Sequence, residues 1–370
     1  MVNLETDVLI VGGGPAGSSA AISLLNYGNT TVTLIEQSDL DYQRIGEHVS
    51  SGIFELLSYL KLSNTDFAAD CFIKTYGNTS YWGIDQPMLR DSIFTTEQAS
   101  YQLNREQFDL TLLKQVSEKG GNVFPRTKCT QFQQLEDNRW KVSLKHPDLD
   151  PFVITAKFLV DATGRQANVC RQIGITSKKI DQLTGVGAFL QFNDNRQLEH
   201  DILLETVETG WWYSATLPGN AMTVIFFSDA DIISKNEYHK DTGWNKLLSE
   251  TRQMKHRVSG TQASARWVKN AHTQITDSTD RKNFLAIGDA AASFDPISSM
   301  GIGFAITSAC HAASVIRSEL SDYDPQRIPV YQSDIERNFQ NYSQLRNKIY
   351  QQEKRFPLSD FWMRRNGQLQ

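Results

Sequence analysis

The sequence predicts an α/β protein with a Rossmann-like domain, an antiparallel β-sheet domain and C-terminal helices. Three observations predict it. A glycine-rich turn, VGGGPAG (11–17), lies between an apolar run and an apolar helical stretch. A Gly-Asp step and a second glycine-opened helix come late, in FLAIGDAAASFDPISSMGIGFA (284–305). Between them, segments within 71–100 and 180–268 show the period-two alternation and aromatic content of half-buried strands.

Taken in order, Val8–Val11 is the first strand and SSAAISLL (18–25) carries the first helix. Gly12 makes the tight turn, Gly14 lets a pyrophosphate approach the backbone, and Gly17 lets helix and strand pack closely. Pro15 and Ala16 complete the turn. The helix start presents unsatisfied N–H groups and a positive dipole end to the phosphates. VTLIEQ (32–37) is the next strand, and Glu36, 19 residues after Gly17, accepts from ribose hydroxyls with Gln37 beside it. A carboxylate there argues against a 2′-phosphate. The loop Arg44–His48 leads to a helix, SSGIFELLSYLKL (50–62), then to strand-like CFIKTYGNTSYWGI (71–84) and an amphipathic helix, LNREQFDLTLL (103–113), with Arg105 at its start. KVSLKHPDLDPFVITAKFLV (141–160) reads as a hairpin feeding an Asp-x-x-Gly turn. GVGAFLQF, WWYSATLP and AMTVIFF are strands of the second lobe, with GWNKLLSETRQM as a helix within it. After residue 310 the chain is helical and polar, and FPLSDFWMRRNGQLQ (356–370) docks on the core or on a protein partner.

The first turn alone fits NAD or FAD; the distant segments choose between them. Gly288-Asp289 ends a buried strand, where a carboxylate can hold ribityl hydroxyls that only a flavin possesses. A loop at Pro296 then leads to Gly301 and Ile302, which open a helix whose N-terminus stabilises negative charge on a reduced isoalloxazine. FLVDATGR (158–165) brings Asp161, Gly164 and Arg165 to the same sheet edge, and Arg105 adds a phosphate or ribityl contact. FAD is the expected cofactor. Residues 1–70, 101–178 and 270–320 would form a discontinuous FAD-binding domain, 71–100 and 179–269 the antiparallel substrate domain, and 321–370 a C-terminal helical segment.

Composition narrows the classes. At 370 residues, with 40% hydrophobic and 21% charged residues, the chain can fill two lobes around ample core. A net charge of −5 gives no electrostatic reason to bind nucleic acid. No run reaches the length of a membrane span, and MVNLETDVLIVGGG enters a strand at once, so a cytoplasmic location without a signal peptide is expected. Cys71, Cys129, Cys170 and Cys310 lack metal-type spacing, and no His-x-x-x-His pair occurs. No metal is expected, and the chemistry falls to the flavin.

In this order, the glycine turn, Arg44-x-Gly46-Glu47, the Asp161–Gly164 turn and Gly288-Asp289 resemble the p-hydroxybenzoate hydroxylase-like FAD-dependent oxidoreductases, over roughly residues 1–310. The resemblance implies that FAD is held by Gly12, Gly14, Gly17, Glu36, Arg44, Arg105, Asp161 and Asp289, with Glu47 and His48 beside them. It also implies a βαβ FAD domain interrupted by an antiparallel substrate sheet. Within that superfamily the chain is similar to two groups, the flavin-dependent tryptophan halogenases and the LodB/GoxB-type maturases of tryptophylquinone enzymes. Lys74, eight residues before Trp82, resembles the catalytic lysine that halogenases carry ahead of an aromatic. Buried over the flavin, it would steady an oxygenated species.

Two departures count against halogenation. Tyr213–Pro218 stands where halogenases have Trp-x-Trp-x-Ile-Pro, and Ser298 and Met300 stand where they place Glu and Thr. The maturase resemblance implies a monooxygenase that hydroxylates a tryptophan of a partner oxidase precursor during cysteine tryptophylquinone biogenesis, with O2 as oxidant and an external reductant such as a flavin reductase. Trp211 and Trp212 would line or gate the substrate face. Strand alternation sends one ring to each side, so one of the two should face the flavin. TGVGAF (184–189) lacks a third glycine and a following helix, so no nicotinamide domain is expected. A small-molecule aromatic hydroxylase using NAD(P)H, a flavin halogenase, a prenyl reductase and a non-catalytic flavoprotein scaffold stay open as alternatives.

Overall fold

A computed structural model describes residues 3–39, 44–75, 77–91, 100–192 and 201–367. Tyr76 and 92–99 of the expected 71–100 stretch, and the last three residues of the expected tail, lie outside the described residues. Strand β1 (Asn3–Val11) runs through the glycine turn into α1 (Pro15–Tyr27) and β2 (Val32–Ile35). β3 (His48–Ser50), α2 (Ile53–Tyr59), β4 (Phe72–Thr75), β5 (Gly77–Tyr81), β6 (Met88–Asp91) and β7 (Ser100–Leu103) precede α3 (Arg105–Glu118). Next come β8 (Asn122–Phe124), β9 (Lys128–Gln134), β10 (Trp140–Lys145), β11 (Phe152–Asp161), α4 (Asn168–Gln172) and β12 (Lys178–Lys179). The second half holds β13 (Leu183–Phe192), β14 (Asp201–Val207), β15 (Gly210–Leu217), β16 (Ala221–Asp229), α5 (Ala230–Lys235), α6 (Asp241–Ser249) and α7 (Met254–Arg257). It ends in β17 (Thr261–Ala263), β18 (Trp267–Asn270), β19 (Gln274–Ile275), β20 (Phe284–Ala286), β21 (Ala292–Ser293), α8 (Gly301–Ser321), α9 (Arg327–Tyr350) and α10 (Asp360–Arg365).

A seven-stranded sheet runs β8-β2-β1-β11-β10-β9, with β20 added to β11. Val8, Leu9 and Ile10 are fully buried, as expected of a parallel strand covered on both faces. The parallel register aligns Val11 with Ile35 on one side and Asp161 on the other, and Asp161 with Ala286. Gly12, Glu36, Ala162 and Ile287 therefore leave the sheet along one carboxyl edge, where open α/β sheets bind ligands.

The second sheet runs β17-β13-β16-β15-β14-β5-β6, with β18 also on β13; it is antiparallel as expected except where β5 pairs in parallel with β14, and is called the antiparallel sheet. Its outer face buries Trp212 against Phe226 and Trp244 of α6. TGVGAF lies inside β13, so it is a strand and makes no nucleotide turn. A small sheet, β3-β7-β4, packs β7 against β15 and β3 against α8. The tail docks on the core: Trp362 donates from Nε1 to the Val207 carbonyl at 3.0 Å, and Arg365 pairs with Asp229 at 2.8 Å. Among the described residues no helix is long and apolar enough to cross a membrane.

Candidate active site

A cavity of about 740 Å3 runs from the carboxyl edge of the seven-stranded sheet to the inner face of the antiparallel sheet. Gly12, at φ +114°, adopts a conformation that side chains resist, and a Cβ there would meet the Ala162 carbonyl at 2.2 Å. Gly17 packs so closely that a Cβ would sit 1.8 Å from the Gly12 oxygen. It serves helix–strand packing and does not line the cavity. Gly14 does line it, and a Cβ there would meet only Arg44, at 3.9 Å, which leaves backbone open to a diphosphate.

Glu36 is buried beside this turn, its Oε2 accepting from Gly13 N at 2.7 Å and its Oε1 from Ser38 N at 2.8 Å. Asp109, which sequence reasoning passed over, is the buried counter-ion of the site. It pairs with Arg44 and Arg105, each at 2.9 Å, and holds both guanidiniums at the cavity wall. Arg105 also donates to the carbonyls of Ile45 and Gly46 at 2.7 and 3.0 Å, which ties the Arg44–His48 loop to α3. The Arg105–Asp109 spacing of four on a helix was the available signal.

At the other end, Asp289 faces the cavity 3.5 Å from Arg165, which is anchored on the Asn270 and Phe294 carbonyls. Burial pushes the Asp289 carboxyl upward, opposed by Arg165 and Arg105. Pro296, Met300, Gly301 and Ile302 bring the start of α8 to the wall, with no side-chain cap and no acid in its first turn. Its dipole end is left for a ligand. Asp295, fully buried behind this loop, accepts from Tyr350 Oη at 2.7 Å and lies 3.4 Å from Arg346.

Of the residues expected at the cofactor, Gly12, Gly14, Pro15, Ala16, Glu36, Gln37, Arg44, Glu47, His48, Arg105, Gly164, Asp289, Pro296, Gly301 and Ile302 line the cavity. Asp161 does not. Fully buried below it, Asp161 accepts from Thr163 N at 2.9 Å and Cys170 N at 2.8 Å, so its carboxylate builds the turn instead of contacting a ligand. Gly288 also lies behind the wall, where a Cβ would collide with Ala16.

The three residues expected to be catalytic are corrected by strand geometry. Lys74 is exposed and absent from the lining. Ile73 pairs with Gln102 and Thr75 with Ser100, so alternation puts those two on one face of the small sheet and Lys74 on the other. Trp212 points to the outer face. Trp211 shares a face with Tyr213 but stacks behind Phe227, at 4.3 Å between ring centroids, and donates to Tyr350 Oη at 3.1 Å. The aromatic rings of this sheet that reach the cavity are Tyr213 and Phe227, the latter the register partner of Trp211. Among the described residues no cluster of His, Cys, Asp and Glu is arranged to hold a metal.

The residues fit FAD: a turn open to diphosphate at one end, a carboxylate and an uncapped helix at the other, and two locked guanidiniums between. Comparison with known proteins agrees. The FAD binding domain family matches residues 5–343. LodB of Marinomonas mediterranea, named as an FAD-dependent oxidoreductase, is 42% identical over 363 residues, covering 98% of this chain and 97% of LodB. The flavin-dependent halogenase CmlS superposes with a TM-score of 0.86 at 23% identity, over 98% of this chain and 67% of CmlS. QhpG, a peptidyl tryptophan dihydroxylase essential for tryptophylquinone cofactor biogenesis, superposes with a TM-score of 0.73 at 20% identity, over 98% of this chain and 78% of its own.

Proposed function

The chain belongs to the FAD binding domain family and is an FAD-dependent oxidoreductase; on that footing we propose that it is a monooxygenase that hydroxylates a tryptophan in the precursor of a tryptophylquinone-dependent oxidase. The full-length identity with LodB carries the reading, because the maturase resemblance and this relative point to the same branch. QhpG, whose fold the chain shares, is a protein named for the same chemical task. Bound FAD supplies the redox step and the activation of O2, with electrons from an external reductant.

The chain's own residues then have defined work. The glycine turn and Glu36 hold the nucleotide end, and the Arg44–Asp109–Arg105 cluster holds the stretch between the two ends. Asp289 and the α8 N-terminus orient the other end and favour negative charge there. Tyr213, Ile225 and Phe227 present a flat wall to an aromatic ring and keep water from it. With Ser298 and Met300 in place of the Glu and Thr of halogenases, oxygen insertion is preferred to halogen transfer.

Co-expression of the oxidase precursor with and without this chain tests the reading. Intact-mass spectrometry of the precursor should show a gain in oxygen-atom units only when the chain is present. An unchanged precursor mass, with both proteins folded and FAD bound, overturns the proposal.

A further inference from the structure

The fold concentrates unpartnered polar atoms in one chamber. In the small sheet, β3 sets His48 opposite Gln102, β4 adds Thr75 on the same face, and β7 packs this face toward Tyr213 of β15. Glu47 Oε1, both ring nitrogens of His48 and Thr75 Oγ1 are buried there without a hydrogen-bond partner among the described residues, and the Gln102 amide reaches toward Tyr213. Gln102 is 1% exposed and Glu47 3%. Native folds leave few such atoms unsatisfied, so a cluster of them beside a cavity calls for partners from water or a bound molecule. Glu47, His48 and Tyr213 line the main cavity, so the chamber opens onto it.

The chemistry of the cluster selects a donor. Glu47 carries only acceptor oxygens when ionised; the Glu47 and Gly46 N–H groups serve part of its carboxylate, Oε1 is left over, and Arg105 is already committed to Asp109 and to the Ile45 and Gly46 carbonyls. The antiparallel sheet gives the same cavity an aromatic and apolar wall, Tyr213, Ile225 and Phe227, with Tyr213 near enough to Glu47 to feel its charge. A flat ring bearing one N–H satisfies both. Resting on the monooxygenase reading above, we propose that Glu47 accepts the ring N–H of the substrate indole and so determines which aromatic ring is admitted, with His48 lining the same cavity. An acceptor on that N–H also pushes electron density into the ring, as attack by an electrophilic oxygen requires.

The charged and titratable groups facing Glu47 are Arg105 from α3, with Asp109 and Asp289 beyond it, His48 beside it and Tyr213 from β15. Burial outweighs the attraction of Arg105 and raises the Glu47 carboxyl to about 7. The chamber therefore gains its strong acceptor as pH rises through neutrality.

The test uses the FAD-loaded protein, with indole and 1-methylindole as probes and the flavin absorption band as readout. Indole should bind about tenfold more tightly than 1-methylindole at pH 8. That preference should fall as pH drops below about 7 in the parent, and should be small and independent of pH in Glu47→Gln, with FAD content and circular dichroism confirming that the variant is folded. Equal affinity for the two probes, no binding of indole, or an unchanged pH profile in Glu47→Gln overturns the proposal. If it fails while the precursor still gains oxygen, the hydroxylase reading stands with another residue holding the ring. If indole selection holds without oxygen gain on the precursor, the chamber serves a different N–H aromatic.

Discussion

Glu47 and His48 are adjacent in sequence, and burial moves them in opposite directions. The Glu47 carboxyl rises from 4.5 to about 7 and the His48 imidazole falls from 6.5 to about 4, each mainly through lost hydration. The Glu47 contribution, roughly 3 kcal/mol, is fully present below the unfolded carboxyl value of 4.5 and is lost as pH rises through about 7. That of His48 is present above 6.5 and lost as pH falls through about 4. Between 4.5 and 6.5 the two cancel. In urea denaturation of the FAD-free protein, Glu47→Gln should therefore gain stability from pH 4 to 6.5, and His48→Asn should lose it from pH 4.5 to 7. Parallel profiles for parent and variants would contradict this assignment. Two further substitutions test the site at the same scale. Asp109→Asn removes the carboxylate that holds Arg44 and Arg105, so a fluorescence titration should show FAD binding weakened about tenfold. Lys74→Ala alters an exposed position outside the cavity and should leave turnover within about twofold.

At the scale of elements, the loop from Asp295 to Met300 is positioned by α9. Tyr342 Oη accepts from Asp295 N at 2.7 Å, and Arg346 bridges buried Asp295 to Asp181 at 2.8 Å. Arg346→Met leaves both carboxylates without their shared cation and should cost about 3–5 kcal/mol. Calorimetry should record a lowered Tm, and the retained fraction should bind FAD less tightly because Pro296 and the α8 start lose their support. An unshifted Tm would show that the loop holds its place without α9. The sequence conveyed the glycine turns, the acid after β2 and the Gly-Asp step because each is a local pattern with a fixed backbone task. Asp161 looked like the same kind of signal. Its carboxylate is spent on Thr163 and Cys170, and only the hydrogen bonds reveal that. Lys74 and Trp211 were misplaced for a related reason. Period-two alternation gives the two faces of a strand but does not say which face is inside or how far along it the cavity reaches.

At the scale of the molecule, residues 12 and 289 line one cavity because parallel pairing brings β1, β2, β11 and β20 to a common edge. That much followed from the order of the motifs. The chamber between the small sheet and the antiparallel sheet did not, because it depends on β7 meeting β15 across more than a hundred residues of chain. The arrangement places Asp289 and the start of α8 in the same cavity as the aromatic wall of Tyr213 and Phe227, which is the geometry the proposed oxygen transfer to a ring draws on. The direct test is a single turnover: the FAD-loaded protein, chemically reduced without air, is mixed with the oxidase precursor and then with 18O2. The account predicts a target tryptophan carrying 18O, located by peptide mass spectrometry. Flavin reoxidation that leaves every tryptophan of the precursor unlabelled would contradict it.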